Sequence, residues 1–438
     1  MIDKEKALNA EASYPTLKEI FMNIYNQNAE AQKSPYRFTS IDSIYVHGED
    51  STRWIGEDCD LKAFAKMEHI ETSALEQIDK TAKSPAFEEA TIRIMPDVHT
   101  GQGSVIGFTA NVSNGRVIPN VVGVDIGCGM LTVPLQETDV DLVQLDRFVR
   151  HKIPSGFKVH SEVPPWFELN EDHMRVYHYE QESFRCFDGL KNLDHLQRSC
   201  GTLGGGNHFI EIDKDDDGNL YLIVHSGSRN LGLQVAEYYQ RLAIERNNPG
   251  VESDDLAYLE GQDTEDYLHD MELCVWFAKK NREQIAADIM CAMGLTYPID
   301  SYWHTIHNYI EVFGDGSYII RKGAIRANRD ERVLIPLNMA AGSVIGTGKG
   351  NSDWNYSAPH GAGRNFSRNH AYKTLSMDEF KERMEGIYST SICKDTLDES
   401  PMAYKDPDYI MSYLDQTIEN PVLIKPVWNF KAHEKKRR

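Results

Sequence analysis

The stretch VVGVDIGCGM at 121–130 places a carboxylate, Asp125, three residues before a thiol, Cys128, among Gly123, Gly127 and Gly129. Valine and isoleucine favour a strand, but glycine at this density breaks one and lets the backbone bend so that both side chains serve one centre. A deprotonated thiol, a carboxylate and imidazoles together make a mixed O/N/S metal shell, and softness alone favours zinc. A single cysteine can also be a nucleophile paired with histidine. The nearby Asp125 argues for ligation instead, because a carboxylate raises the pKa of a thiol beside it.

Sixteen histidines are available as partners. Five settings are glycine-rich or polar: MPDVHTGQG (Asp97, His99), GGGNHFIE (Asn207, His208, Glu211), VHSGSRNLG (His225, Arg229), HTIHNY (His304, His307, Asn308) and SAPHGAGR (His360, Arg364). One histidine beside a strand is ordinarily a core or surface residue. Five such settings together with the Asp125–Cys128 pair are hard to assign to packing alone. The segment GTGKGNSD at 346–353 looks like a phosphate-binding P-loop, but Gly350 follows Lys349 where Ser or Thr is needed. Walker-type nucleotide binding is therefore rejected.

These residues must be positioned by a large scaffold. The chain has 438 residues with 41% hydrophobic and 26% charged content, ordinary for a globular protein. A helix is expected near 72–83, stopped before Pro85, and ATIRIMPD and GRVIPNVVGVDIG read as strands punctuated by proline and glycine. NHFIEI (207–212) and LYLIVHSGS (220–228) read as strands joined by the turn-like DKDDDGN. A long amphipathic helix is expected over about 263–294, with Leu268, Met271, Val275, Ala278, Ile285 and Ile289 on one stripe. HTIHNYIEVFGDGSYIIRKGA reads as a helix or strand, a Gly-Asp-Gly turn and a strand. The mixture lacks regular βαβ alternation, so the expected class is α+β with a complex mixed architecture. Residues 1–61 are expected to be an accessory extension and 62–438 the catalytic domain.

Net charge of −21 argues against a general nucleic-acid coat, though an enzyme with a local basic cleft remains compatible. The basic run HEKKRR at 433–438 reads as a solvated tail. Seven cysteines, with no CxxC pair, suggest reduced thiols and a cytoplasmic setting. Neither a secretory signal nor an apolar run of about 18 residues is expected.

In order along the chain, MPDVHTGQGSVIG, VGVDIGCGM, GGGNHF-IE, HSGSRNLG, IHNY, RKGA and SAPHGAGR resemble the motifs of the RtcB family of RNA ligases, over about 62–431. The resemblance implies a GTP- and manganese-dependent ligase. Such an enzyme joins RNA ends carrying a 2′,3′-cyclic phosphate or 3′-phosphate to a 5′-hydroxyl, in tRNA splicing or RNA repair. It implies two Mn ions, with zinc or another divalent ion as the alternative, held by Asp125, Cys128, His208, His225 and His307, the cysteine bridging. It implies that His360 carries GMP covalently and that an RNA 3′-pp-5′-G intermediate follows, with further catalytic roles on Asp97, Arg229, Lys322 and Arg364.

Nucleotide contacts are implied for Asn207, His208, Phe209, Glu211, His307, Asn308, Pro336, Leu337, Asn338, Met339, Ser343, His360, Gly361, Ala362, Gly363, Tyr404 and Lys431. Tyr404 offers a stacking face, and Glu211 and Lys431 match guanine's donor and acceptor edges. Arg229, Arg364 and Arg368 are implied grips on RNA phosphates. IPLNMAAGS departs from the family's commoner Gly-Ser-Met-Gly version, and Lys431 is followed by Ala432 and a short tail; these features resemble a bacterial branch. An archease-type activator is an implied partner. The competing readings are a dinuclear phosphoesterase that only opens cyclic phosphates and a non-enzymatic RNA repair subunit. Intact SAPHGAGR argues against the first, and the presence of Cys128 and His360 against the second.

Overall fold

Runs rich in Val, Ile and Phe, broken by Gly, Pro and Asp, make strands here, and among the described residues 19 of them assemble into sheets around two large apolar cores. The computed structural model describes residues 44–47, 52–55 and 59–432. Sheet one has seven strands: β1 (Ile44–His47), β2 (Thr52–Ile55), β3 (Asp60–Ala63), β4 (Thr91–His99), β5 (Ile106–Val112), β14 (Tyr318–Lys322) and β13 (Asn308–Val312), in that spatial order. Sheet two also has seven, in the order β12 (Trp303–Ile306), β6 (Gly129–Pro134), β11 (Leu220–Ser226), β10 (Phe209–Lys214), β19 (Ile418–Lys431), β17 (Gly342–Gly348) and β16 (Arg332–Asn338). A small sheet of β7 (Phe167–Leu169), β8 (His173–Val176) and β9 (Tyr179–Glu182), and a pair of β15 (Ala324–Arg326) with β18 (Ser357–Pro359), complete the set. Strands and helices mix as an α+β fold, as the absence of βαβ alternation implied.

Helices α1 (Thr72–Ala82), α2 (Leu142–Lys152), α3 (Leu193–Arg198), α4 (Arg229–Arg246) and α5 (Gln262–Met293) cover the sheets. Helix α5 starts and stops at glycines: Gly261 precedes it and Gly294 closes it at φ +65°, a left-handed cap that L side chains resist. Met271, Ala278, Ile285 and Ile289 of the expected stripe are buried; Leu268 and Val275 are partly so. Burial reaches well beyond that stripe, to Leu273, Cys274, Phe277, Asn281 and Arg282, because α5 lies between both cores. Among the described residues, no helix is long and apolar enough to cross a membrane.

Two expectations change. GRVIPNVVGVDIG is not strand: Pro119–Val121 forms one 3₁₀ turn, and the strand begins only at Gly129. Pro119 supplies a helical φ at the first turn position, and Gly123 and Gly127 at φ +97° and +72° prevent a strand from continuing. The ambiguous HTIHNYIEV segment is strand on both sides of His307, and there it changes sheets: β12 belongs to sheet two and β13 to sheet one. Most of the 1–61 segment and all of the 433–438 tail lie outside the described residues; β1 and β2 extend sheet one.

Candidate active site

The pairing register of sheet two gathers side chains on one row. Met130, His225, Phe209 and Lys431 are direct neighbours across β6, β11, β10 and β19, and Ile223, Glu211 and Asn429 form the next row on that face. Above them lies a cavity of about 610 Å³, roofed by the ends of β4, β13 and β14 in sheet one and by the 360–368 segment. That volume suits a small-molecule or nucleotide ligand.

The thiol loop is held from three sides. Gly127 N–H donates to Asn308 O (2.8 Å), His307 N–H to Cys128 O (3.0 Å), and Asn308 Nδ2 to Asp125 O (3.2 Å). Below, the buried guanidinium of Arg282 on α5 donates to Gly127 O (2.8 Å) and Ser226 O (2.7 Å), while Asn281 ties Thr202, Ser226 and Gly227. Gly127 is required sterically: a Cβ there would lie 2.8 Å from Val275 Cα.

Two donor triads result, and they share one atom. Cys128 groups with His225 and His307, and also with Asp125 and His208, the donor atoms of each triad lying within 4.8 Å of one another. Cys128 Sγ is 3.3 Å from both His208 Nε2 and His225 Nε2, and His208 Nε2 is 3.0 Å from Asp125 Oδ2. His208 Nδ1 lies 2.8 Å from Leu203 O, which orients the ring so that Nε2 faces both the thiol and Asp125.

The electrostatics suit cation ligation. Burial, then neighbouring imidazoles, lowers His225 and His307 well below the usual histidine range, so both are neutral donors. Burial would raise Asp125, but its bond to His208 and the charges of His208 and Arg229 outweigh it and bring it down to about 2. Burial and the Asp125 charge raise the Cys128 thiol, so an ion entering here must displace its proton. The buried Nδ1 atoms of His225 and His307 have no hydrogen-bond partner. These donor atoms, with the two idle nitrogens beside them, suit the ligation of divalent cations.

His360 lines the same cavity, its ring centroid 4.9 Å from that of His307. The buried Asp97 orients it: Oδ2 accepts from His360 Nδ1 at 2.6 Å and from its backbone N–H at 3.1 Å. The Nδ1 proton therefore belongs to this bond, and Nε2 carries the lone pair. Gly363, at φ +73°, is needed because a Cβ would lie 2.1 Å from Asp97 O. This glycine thus serves the approach of the histidine loop to β4. His99, held at about 4 by burial, adds a neutral imidazole beside this pair.

Of the other residues expected at the site, Asn207, Phe209, Glu211, Asn308, Pro336, Leu337, Asn338, Met339, Gly361, Ala362, Gly363, Arg364, Tyr404 and Lys431 all line the cavity. Asn308 is used doubly, since its Oδ1 also accepts from Gly323 N–H (3.0 Å). Asn338 shapes its own loop by accepting from Ala340 and Ala341 N–H. Ser343, on β17, is buried with an unpartnered hydroxyl away from the cavity lining. Lys322 ties the structure: Nζ donates to the carbonyls of Gln102 and Asn120 (2.8 Å to the latter), and burial lowers it to about 7. Arg229 is the first residue of α4, at φ +59°, with its Nη1 3.2 Å from His208 Nδ1.

The arginines expected to offer open forks to RNA are already engaged. Arg364 donates to Glu399 (3.0 Å) and Asp398 O (2.7 Å), and Arg368 pairs with Asp398 (2.6 Å) and Glu399 (2.7 Å). Sequence reasoning missed Asp398, Glu399, Asn429, Asn281 and Arg282. The last two carried a signal, being polar residues at positions that α5 must bury.

A carboxylate-thiol-imidazole cluster beneath an oriented histidine in a nucleotide-sized cavity, on an α+β scaffold, defines an enzyme with a candidate binuclear centre. A family model described as tRNA-splicing ligase RtcB matches residues 77–432. The RNA-splicing ligase RtcB of Escherichia coli (strain K12) is 34% identical over 400 residues, covering 83% of this chain and 95% of that relative. The tRNA-splicing ligase RtcB of Aeropyrum pernix is 29% identical over 400 residues, covering 72% and 82%. The chain belongs to the RtcB family and is an RNA ligase.

Proposed function

We propose that this RNA ligase uses GTP and two manganese ions to join a 3′-phosphate or 2′,3′-cyclic phosphate end to a 5′-hydroxyl end, through a His360–GMP intermediate. The observation that carries the reading is the sharing of Cys128 by two donor triads next to a histidine whose Nδ1 is committed to Asp97. Asp125, Cys128, His208, His225 and His307 would hold the ions, which supply Lewis acidity to phosphoryl oxygens when bound.

The chain's own residues do the rest. His360 Nε2 attacks the α-phosphorus of GTP and pyrophosphate leaves. The positive charge that develops on the imidazole is offset by Asp97 across the 2.6 Å bond. The RNA 3′-phosphate then takes GMP from His360, and the 5′-hydroxyl displaces GMP to form the junction. The phosphate in the junction is therefore the one the 3′ end brought. Glu211 and Lys431 face the base as acceptor and donor, and Tyr404 lies against its plane.

The test is incubation with α-labelled GTP and manganese followed by denaturing electrophoresis, then ligation of RNA labelled at its 3′-phosphate. Covalent, acid-labile label on the protein and retention of the RNA label within the junction are expected. Release of the RNA label as free phosphate overturns the reading, and cyclic-end opening without joining would favour the phosphoesterase.

A further inference from the structure

Four side chains read as nucleotide or RNA contacts converge on a single carboxylate to which no role has been given. Glu399 is fully buried, accepts from Lys431 Nζ at 2.6 Å, Tyr404 Oη at 2.5 Å and Arg364 Nη1 at 3.0 Å, and forms an ion pair with Arg368 Nη1 at 2.7 Å. Burial opposes its ionisation, but Lys431, Arg368 and Arg364 outweigh that and lower it to about 2, so it is a fixed negative charge. Around it stand three cations, Arg364, Arg368 and Lys431, with Asp398 as a second carboxylate paired to Arg368. Removing Glu399 would leave the buried Lys431 ammonium without its carboxylate, facing Arg364 and Arg368 of like sign.

The geometry of Lys431 shows what the clamp does. An ammonium has three N–H donors. One goes to Glu399 and a second, longer contact at 3.4 Å reaches Asn207 O. The remaining donor is fixed by these two, and Lys431 lines the cavity with its Nζ 5.4 Å from the Phe209 ring centroid. The Tyr404 ring is held by the same carboxylate, with Arg364 on its face at 5.4 Å. A hydrogen-bond donor and an aromatic plane are thus locked in one frame.

We infer that Glu399 is a positioning residue for base choice: by clamping Lys431 and Tyr404 it aims a fixed donor at the 6-oxo group of a purine stacked on Tyr404. This rests on the guanylylation reading above. A freely swinging lysine would turn aside for a 6-amino group, whereas a clamped donor meets that group's N–H and leaves both donors unpaired. Glu399 itself touches no nucleotide.

The experiment is covalent self-labelling of the full chain with α-labelled GTP, ITP or ATP, comparing wild type, Glu399→Gln and Glu399→Asp. Loss of a clamped, charge-assisted hydrogen bond should lower the GTP-to-ATP ratio of labelling efficiency in Glu399→Gln by at least ~10-fold. The loss should fall on KM rather than on kcat. GTP and ITP, which share the 6-oxo group, should fall together. Glu399→Asp, which keeps the charge on a shorter arm, should restore part of the ratio, and it decides the matter alone if the glutamine variant does not fold. Equal loss for all three nucleotides, or an unchanged ratio in the aspartate and glutamine variants, would overturn the positioning role and leave the guanylylation reading standing. A wild-type chain labelled by none of the three would overturn both.

Discussion

Substituting Asp97→Asn isolates what the buried carboxylate does for His360. The two are joined by a 2.6 Å hydrogen bond, and Asp97 is fully buried. In the proposed reaction the imidazole gains a unit positive charge when Nε2 bonds to phosphorus. Opposite unit charges with centres ~4 Å apart in a medium of effective dielectric ~20 attract by about 4 kcal/mol. Asparagine is nearly isosteric but neutral, and its amide can present N–H₂ to Nδ1 and push the proton to the attacking nitrogen. Losing about 4 kcal/mol from the transition state corresponds to a rate reduced ~10³-fold. The assay is single-turnover labelling with α-labelled GTP, with metal content and melting temperature measured on the same preparation. Asp97 belongs to neither donor triad, so metal content should be unchanged. Labelling within about threefold of wild type, too small a loss for a charge contribution of this size, would refute the orientation argument. So would a loss explained by missing metal.

Three further outcomes are expected. Cys128→Ala should remove both ions as measured by elemental analysis, because the thiol belongs to both triads, while the fold survives; retention of two ions would end the bridging assignment. Arg282→Met should weaken metal binding ~10–100-fold, as loss of outer support commonly does, since the loop carbonyl Gly127 O and Ser226 O lose their donor; titration of the apo protein with manganese measures it, and unchanged affinity would remove Arg282 from the centre's support. His304 is lowered by burial to about 4, so the unfolded chain takes up a proton below its ordinary 6.5 while the folded one does not. Stability is therefore unaffected above pH 6.5 and falls as pH drops toward 4, by up to ~3 kcal/mol from this one group. His304 meets Arg282 Nε at Nδ1 (3.4 Å) and Glu283 at Nε2 (3.2 Å), contacts a glutamine amide can reproduce, so urea melts of His304→Gln should show a shallower acid loss, and an identical pH profile would contradict the assignment.

How much of this was legible in the sequence depends on what each residue needs from distant parts of the chain. The triads' members stand out because glycine and polar residues surround a thiol or imidazole where a strand should be apolar. The class of fold followed from the lack of βαβ alternation, and α5 from its period. The 115–127 segment misled because valine and isoleucine favour extension, yet the backbone is decided by Pro119 and by positive φ at Gly123 and Gly127. The sheet change at His307 leaves no local trace, because both halves are ordinary strand. Glu399 was silent for a related reason: in KDTLDES one acidic residue looks like any other until its partners arrive from 32 and 35 residues away. A polar side chain buried by long-range contacts carries no pattern of its own.

The position of β19 has a consequence for how the chain is made. It is the last described strand, yet it sits inside sheet two, hydrogen-bonded to β10 on one side and β17 on the other. Synthesis delivers β10 and β17 long before it, so each must wait with a bare edge, the arrangement that most invites pairing with another chain. The cavity floor, with Lys431 beside Phe209, is finished only when this strand slides into the gap. An unfinished polypeptide emerging from the ribosome therefore holds every member of the two donor triads but no complete cavity floor. Premature termination upstream of residue 418 would yield an aggregation-prone product, while a stop after 432 would leave the paired strand whole.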